Sequence, residues 1–273
     1  FFLHDHEHGM GTGNQGYNRV GPWGAPNALG NNWGQTWTIS QYRSREIFTK
    51  FNPHYLHEFL CFSSEYRQRF SDRAHKHLTG NGALTQAAAV ARADGLAAQI
   101  DPIIHAEAAR WGSNTLTKNT WLNTGKAGVY SFINTSGPNV AGQTIWPSQS
   151  RNLTVIEQLK GYTDEGPKPL FFNVSDPVIS GVAGGLVTAP HSFTITNPGP
   201  SGTIYYTLDG TDPRLIGGGI SGTALTGASP ISLTLNSSTT VRGRVFDSTT
   251  SEWSGIVENV YLVAVPATAA NTV

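Results

Sequence analysis

Between Tyr42 and about residue 160, apolar positions recur at helical spacing; beyond about residue 190 they alternate. Asn52-Pro53 opens a helix through HYLHEFLCF. Ser63 or Ser64 caps the next, EYRQRFSDRAHKHL, where Tyr66, Phe70, Ala74 and Leu78 share one face and Gly80-Asn81-Gly82 ends the run. Thr85 caps TQAAAVARADGLAAQI, with an apolar stripe of Ala89, Ala93, Leu96 and Ile100. Asp101-Pro102 restarts a helix, Asp101 as N-cap and Pro102 in first position, and IIHAEAAR carries it to Trp111-Gly112. Residues 113–152 are mixed, with a helix or strand around Val129 to Ile133. SRNLTVIEQLKGY, 150–162, is a helix ending at Gly161.

At Thr163 the composition shifts. DEGPKPLFF is a linker or a first edge strand. Alternating runs follow at Ser192 to Thr196, Thr203 to Leu208, Ile231 to Leu235, Thr240 to Phe246 and Glu258 to Val265. Asp209-Gly210, Asp212-Pro213, Gly217-Gly218-Gly219 and Asn236-Ser237 turn the chain between them. Short strands with turn signals at this spacing predict an antiparallel β-sandwich from about Leu170 onward. The fold class is therefore α+β, with a mainly helical part over 1–162 and a β module over 163–273. Ahead of the helices, residues 1–10 pattern as a strand, and 11–40 as a long ordered loop with Trp23, Trp33 and Trp37.

Composition narrows the function classes. Charged residues are 13% of the 273, against roughly 25% in an average domain; Gly, Asn, Ser and Thr take their place. Such a weakly charged polar surface suits an extracellular or cell-surface protein. The formal net charge is zero and no basic stripe is present, which argues against a nucleic-acid partner. No apolar run is long enough to span a membrane. The single cysteine, Cys61, excludes an internal disulfide framework and reads as a buried small hydrophobe. FFLHDHEHG has no initiator Met and no signal peptide, so the chain is expected to begin partway along a longer precursor.

The run IYYTLDGTDPR, followed by ISLTLNSSTTVRGRVF and SEWSG, resembles the chitobiase/β-hexosaminidase C-terminal-type module, an Ig-like domain that mostly serves as spacer or docking surface. HDHEHG at 4–9, RFSDRAHKHL at 69–78, GALT at 82–85 and IIHAEAARWG at 103–112 resemble the CotH-type spore-coat kinase family of large bacterial extracellular proteins. That resemblance implies the C-lobe portion of a kinase-like fold, with ATP and a divalent metal as cofactors and Ser/Thr of partner proteins as substrate. It places the magnesium-holding carboxylate at Asp5, with calcium as an alternative ion. Glu7, two residues on along the same strand face, is a supporting carboxylate, and Asn14 a further oxygen donor. A hard cation bridging phosphates requires such oxygen ligands. In the family the phosphate-binding parts lie upstream of this Asp. The chain alone is therefore expected to be inactive, with ATP bound only in a longer chain.

His4, His6 and His8 alternate with these acids and form an alternative transition-metal site. Same-face Cα atoms lie roughly 6.6 Å apart on a strand, which hinders convergence on one ion. His75 and His77 fall on different helix faces; Asp72 and Arg73 read as a structural ion pair or cap, and Glu107 pairs with Arg110 at three-residue spacing. Asp209, Thr211 and Asp212 lack calcium-loop spacing and read as a turn bonded to its own backbone. Tyr205 and Tyr206 point to opposite faces. No GxSxG elbow supports serine hydrolysis. Three functions follow: part of a secreted CotH-kinase-like protein, a non-catalytic structural or adhesion protein self-associating or meeting protein partners through the Ig-like module, or a glycan-binding module.

Overall fold

A computed structural model describes residues 56–57, 60–111, 117–134, 150–161 and 169–264. The strand expected over 1–10, the loop over 11–40 and the helix start at Asn52-Pro53 lie outside the described residues. The chain divides into two compact units: Phe1–Cys61 with His77–Pro169, and Phe62–Lys76 with Leu170–Val273. Most of the first described long helix, α1 (Ser64–Leu78), thus belongs with the β module rather than with the helices that follow it. Ser63 supplies its cap, accepting a 3.3 Å hydrogen bond from the Tyr66 N–H.

In the first unit α2 (Gln86–Ile100) is followed by α3 (Ile104–Trp111). The inner face of α2 runs through Ala89, Ala93 and Ala97, of which Ala97 is buried; Leu96 and Ile100, expected in that stripe, are exposed. Alanine fills a close-packed face without projecting from it, so the side chains that touch the unit are the small ones. The Thr85 hydroxyl does not cap α2 but donates to the Gly82 carbonyl at 2.8 Å. Asp101 does not cap α3 either: its Oδ1 accepts the Trp121 indole N–H at 2.6 Å, and its carbonyl accepts from Lys118 at 3.0 Å. The described part of the mixed stretch, residues 117–134, forms α4 (Lys118–Thr120), a π-helical turn (Trp121–Lys126) and α5 (Ala127–Asn134), so the segment around Val129 is helical. Gly125 lets the wide turn close, since a Cβ there would sit 2.9 Å from the Trp121 ring. The last helix, α6 (Arg151–Lys160), buries Thr154, Ile156 and Leu159 and ends at Gly161 as expected.

The described residues of the second unit hold nine strands: β1 (Val178–Ile179), β2 (Gly185–Thr188), β3 (His191–Thr196), β4 (Thr203–Thr207), β5 (Leu225–Gly227), β6 (Ile231–Leu235), β7 (Thr239–Asp247), β8 (Glu252–Trp253) and β9 (Val257–Ala264). They form a three-stranded sheet in the order β1-β3-β6 and a six-stranded sheet in the order β2-β9-β7-β4-β5, with β8 on β7. The β4, β7 and β9 neighbours follow the C-F-G order of an Ig-like sandwich. Every pairing is antiparallel except β2 with β9, which is parallel. The inner faces interlock through Phe193, Ile195, Ile204, Tyr206, Val241, Val245 and Tyr261. Each such side chain contributes roughly 1.5–3 kcal/mol by leaving water. As alternation requires, Tyr206 is buried while Tyr205 lies half-buried on the opposite face.

Candidate functional site: a buried polar clamp in the β unit

Alternation along β7 sends Val241 and Val245 into the core and Arg244 to the outer face of the six-stranded sheet. Arg244 is nevertheless only 2% exposed, because α1 lies over it. Its Nη1 and Nη2 donate to the two Asp72 oxygens at 2.6 and 2.8 Å. Nε and Nη2 donate to the two Asp212 oxygens at 2.8 and 2.7 Å. Nη1 also donates to the Ser254 carbonyl at 2.8 Å. All five guanidinium donors are thereby used, in two bidentate forks and one carbonyl bond.

Around this centre the partners are themselves held. Gln68 donates to Asp72 Oδ1 at 3.1 Å and to the Ser254 carbonyl at 3.2 Å. The Arg214 backbone N–H donates to Asp212 Oδ1 at 2.9 Å. Ser254 is fully buried; its N–H reaches the Val245 carbonyl and its hydroxyl accepts from the Val245 N–H. One turn further along α1, His75 lies 3.8 Å, centroid to centroid, over the Phe171 ring. Its Nδ1 is 2.9 Å from the Asp176 carboxylate and its Nε2 is 3.2 Å from the Phe172 carbonyl. Ser71 accepts from the Phe172 N–H at 3.2 Å. At the other end of α1, Glu65 accepts from Arg214 Nη1 at 2.9 Å and from the Gly217 N–H at 3.3 Å.

The electrostatics follow from the geometry. Burial works against the Arg244 charge, but the Asp72 and Asp212 carboxylates override it and raise its pKa. Burial likewise pushes Asp212 and Glu65 upward, yet bonds from Arg244 and Arg214 respectively leave both carboxyls below their ordinary range. Because every Arg244 donor is engaged, the cluster has no donor left there for an anion or a phosphate. It is a clamp rather than a binding pocket.

The residues singled out by sequence distribute unevenly over this picture. Asp72 forms an ion pair, and its partner is Arg244. Asp209 and Asp212 do bond their own loop, through the Thr211 and Arg214 N–H groups, and Asp212 also completes the clamp. Arg214, Arg244, Ser254 and Gln68 carried no functional reading. The signal available for them was the density of polar residues in the three quoted runs, which the fold brings to one point. Asp5 and Glu7, the His4, His6 and His8 set, and Asn14 lie outside the described residues. Among the described residues no group of three or more His, Cys, Asp or Glu can hold a metal ion, and no helix is long and apolar enough to cross a membrane. Cys61 is fully buried, as expected, with His57 Nε2 3.7 Å from its sulfur.

The sequence family described as Fn3 associated matches residues 193–261. The match runs from β3 into β9 and includes Asp212, Arg214, Arg244 and Ser254. It stops short of the 170–176 segment and of α1, so Asp72 and His75 are additions from outside it. No curated protein and no solved structure matches the chain. The β unit is thus an Ig/Fn3-like module clamped to a helix from an earlier part of the chain.

Proposed function

We propose that this chain is part of a secreted bacterial CotH-kinase-like protein, carrying an accessory Ig-like module of the chitobiase/β-hexosaminidase C-terminal type. The observation that carries the reading is the convergence at Arg244. RFSDRAHKHL, a run resembling the kinase family, supplies Asp72 and His75 to the clamp. GTDPR, VRGRVF and SEWSG, which resemble the module, supply the rest. Runs from both resemblances, distant in sequence, thus meet within one compact unit, which supports reading them as parts of one protein. In this reading the module presents its free surfaces to protein partners outside the cell. Phosphoryl transfer from ATP, with magnesium held by Asp5 and Glu7, belongs to the longer protein.

The test is direct. The full-length protein encoded with this chain, purified with magnesium and labelled ATP, is expected to transfer phosphate to itself or to a Ser/Thr-rich acceptor, and Asp5→Asn is expected to abolish transfer. Absence of both nucleotide binding and transfer in the full-length protein would overturn the kinase reading in favour of a non-catalytic surface protein.

A further inference from the structure

β8 is two residues long, yet two holding contacts hang on it. The Trp253 indole N–H donates to the Gly218 carbonyl at 2.9 Å. Ser254, next along, donates its N–H to the Val245 carbonyl at 2.8 Å, and its own carbonyl accepts from Arg244 and Gln68. β8 is therefore a strap that carries one acceptor of the clamp. Its other end is held less well. Alternation along β7 puts Asp247 on the inner face, in line with Val241 and Val245. The ladder sets Glu252 directly opposite Asp247, and Trp253 opposite Phe246. Two acidic side chains thus share one face and one rung, an arrangement in which like charges destabilise the pairing. The turn that joins them, Ser248 to Ser251, is exposed throughout and adds no counter-charge.

The two acids are not equivalent. Asp247 is 8% exposed and ringed by donors. The Ser201 hydroxyl reaches one of its oxygens at 2.7 Å, and the Thr249 N–H and hydroxyl reach the other at 2.8 and 2.6 Å. Those bonds hold its carboxyl down to about 2. Glu252 is half-buried, and among the described residues its carboxyl has neither a hydrogen bond nor an ion pair. The arginines of the sheets and loops are engaged elsewhere: Arg214 with Glu65, Arg242 with Glu258, and Arg244 with Asp72 and Asp212. Among the described residues Asp247 is the charged group that faces Glu252. Burial, and then the Asp247 charge, push the Glu252 carboxyl above its ordinary range. A proton arriving at this rung therefore goes to Glu252.

We propose that Glu252 and Asp247 form a proton-operated latch: one proton bound by Glu252 removes the repulsion across the rung, seats β8 on β7 and firms the strap that carries Trp253 and Ser254. The neutral carboxyl also gains an O–H to donate, beside an acceptor that stays ionised. The latch and the clamp respond to pH in opposite directions. The latch contribution is complete below the unfolded glutamate value of about 4.3 and is lost as pH rises through the higher folded value. The Asp212 and Glu65 bonds, made by carboxyls held below their ordinary range, are lost only at lower pH. Mild acid is thus where strap and clamp both hold, and the module stiffens when its surroundings acidify. The latch stands independently of phosphoryl transfer.

Carboxyl NMR and amide hydrogen exchange of the 273-residue chain, taken from neutral pH down to mild acid, test it. Glu252 is expected to titrate with a midpoint above the ordinary glutamate value of about 4.3. Exchange at the Ser254 N–H, corrected for its intrinsic pH dependence, is expected to slow by about twofold to fivefold over that range, the scale of a like-charge pair placed directly opposite on a sheet. Glu252→Gln keeps the shape without the charge, so at neutral pH it should already exchange as slowly as the wild type does in mild acid. Glu252→Lys sets a cation opposite Asp247 and should also slow exchange at neutral pH. A Glu252 midpoint at or below the ordinary value overturns the proposal. So does a Ser254 exchange rate with the same pH dependence in wild type and Glu252→Gln, or a Glu252→Lys chain that exchanges as fast as wild type. Circular dichroism checks the fold, and if one variant misfolds the other answers the same question.

Discussion

Asp72→Asn removes one carboxylate from Arg244 while keeping the shape of the side chain. In the wild type Asp72 accepts two guanidinium bonds and one from Gln68. The amide can accept through one oxygen only and turns its NH₂ donors toward a cation. One charged donor is left unmatched at a site where Arg244 is almost wholly buried, which costs about 1.5–3 kcal/mol; loss of charge attraction brings the total to about 3 kcal/mol, the low end for breaking a buried ion pair. Asp212→Asn should cost less, about 1–2 kcal/mol, because the Asp212 side chain is 34% exposed against 15% for Asp72 and water screens and replaces its bonds. Urea unfolding followed by near-ultraviolet circular dichroism measures both. For a chain of this size, 3 kcal/mol corresponds to about 6–12 °C in Tm. The reasoning fails if Asp72→Asn costs no more than an ordinary surface change, about 0.5 kcal/mol, or if Asp212→Asn proves the costlier of the two. It also fails if the double variant with Arg244→Met shows no coupling beyond simple addition.

Further outcomes follow from the same contacts. Gly255→Ala would place a Cβ 2.7 Å from an Asp176 oxygen and 2.8 Å from the His75 Cβ, so it should destabilise by about 1–3 kcal/mol, and the His75 ring resonances should shift. Asp212 and Glu65 have depressed carboxyl pKa values in the folded chain. Their contribution is fully present above the unfolded carboxylate range of about 4. It is lost as pH falls through the lower folded values, so an acid titration of Tm should fall below about pH 4, and less steeply in Arg244→Met. Asp247, lowered to about 2 by bonds from Ser201 and Thr249, should titrate at higher pH in Ser201→Ala, as read by carboxyl NMR. Gly125→Ala should drive the Trp121 ring off its seat and break its bond to Asp101, changing tryptophan fluorescence without touching the β unit.

The strands most plainly written in the sequence are those with one wet and one dry face. β3, β4, β6, β7 and β9 each alternate, and each forms near its expected bounds. β2 starts on a glycine and pairs in parallel, β5 is exposed along its whole length and β8 is two residues long, so none carries an alternating signal. The helical segments could be read for the same reason as the clear strands, but the face that matters on α1 could not. Periodicity selected Tyr66, Phe70, Ala74 and Leu78. The face turned to the module is Gln68, Ser71, Asp72 and His75, at the same helical spacing but polar. A search for apolar stripes passes over a stripe that is buried through hydrogen bonds. Arg244 was hidden in the same way: it sits at an outward position of β7, and α1, contributed from 172 residues away, helps make that position interior, with Asp212 and Ser254.

That separation has a consequence during synthesis. At about 5–20 residues per second, Asp72 leaves the ribosome roughly 9–34 s before Arg244 does, and throughout that interval its partner surface does not exist. An apolar stripe would spend the time exposed and adhesive. Gln68, Ser71, Asp72 and His75 are at ease in water until the module arrives. The polar character of the clamp thus lets a long-range contact wait, unpaired and harmless, for the half of the protein that completes it.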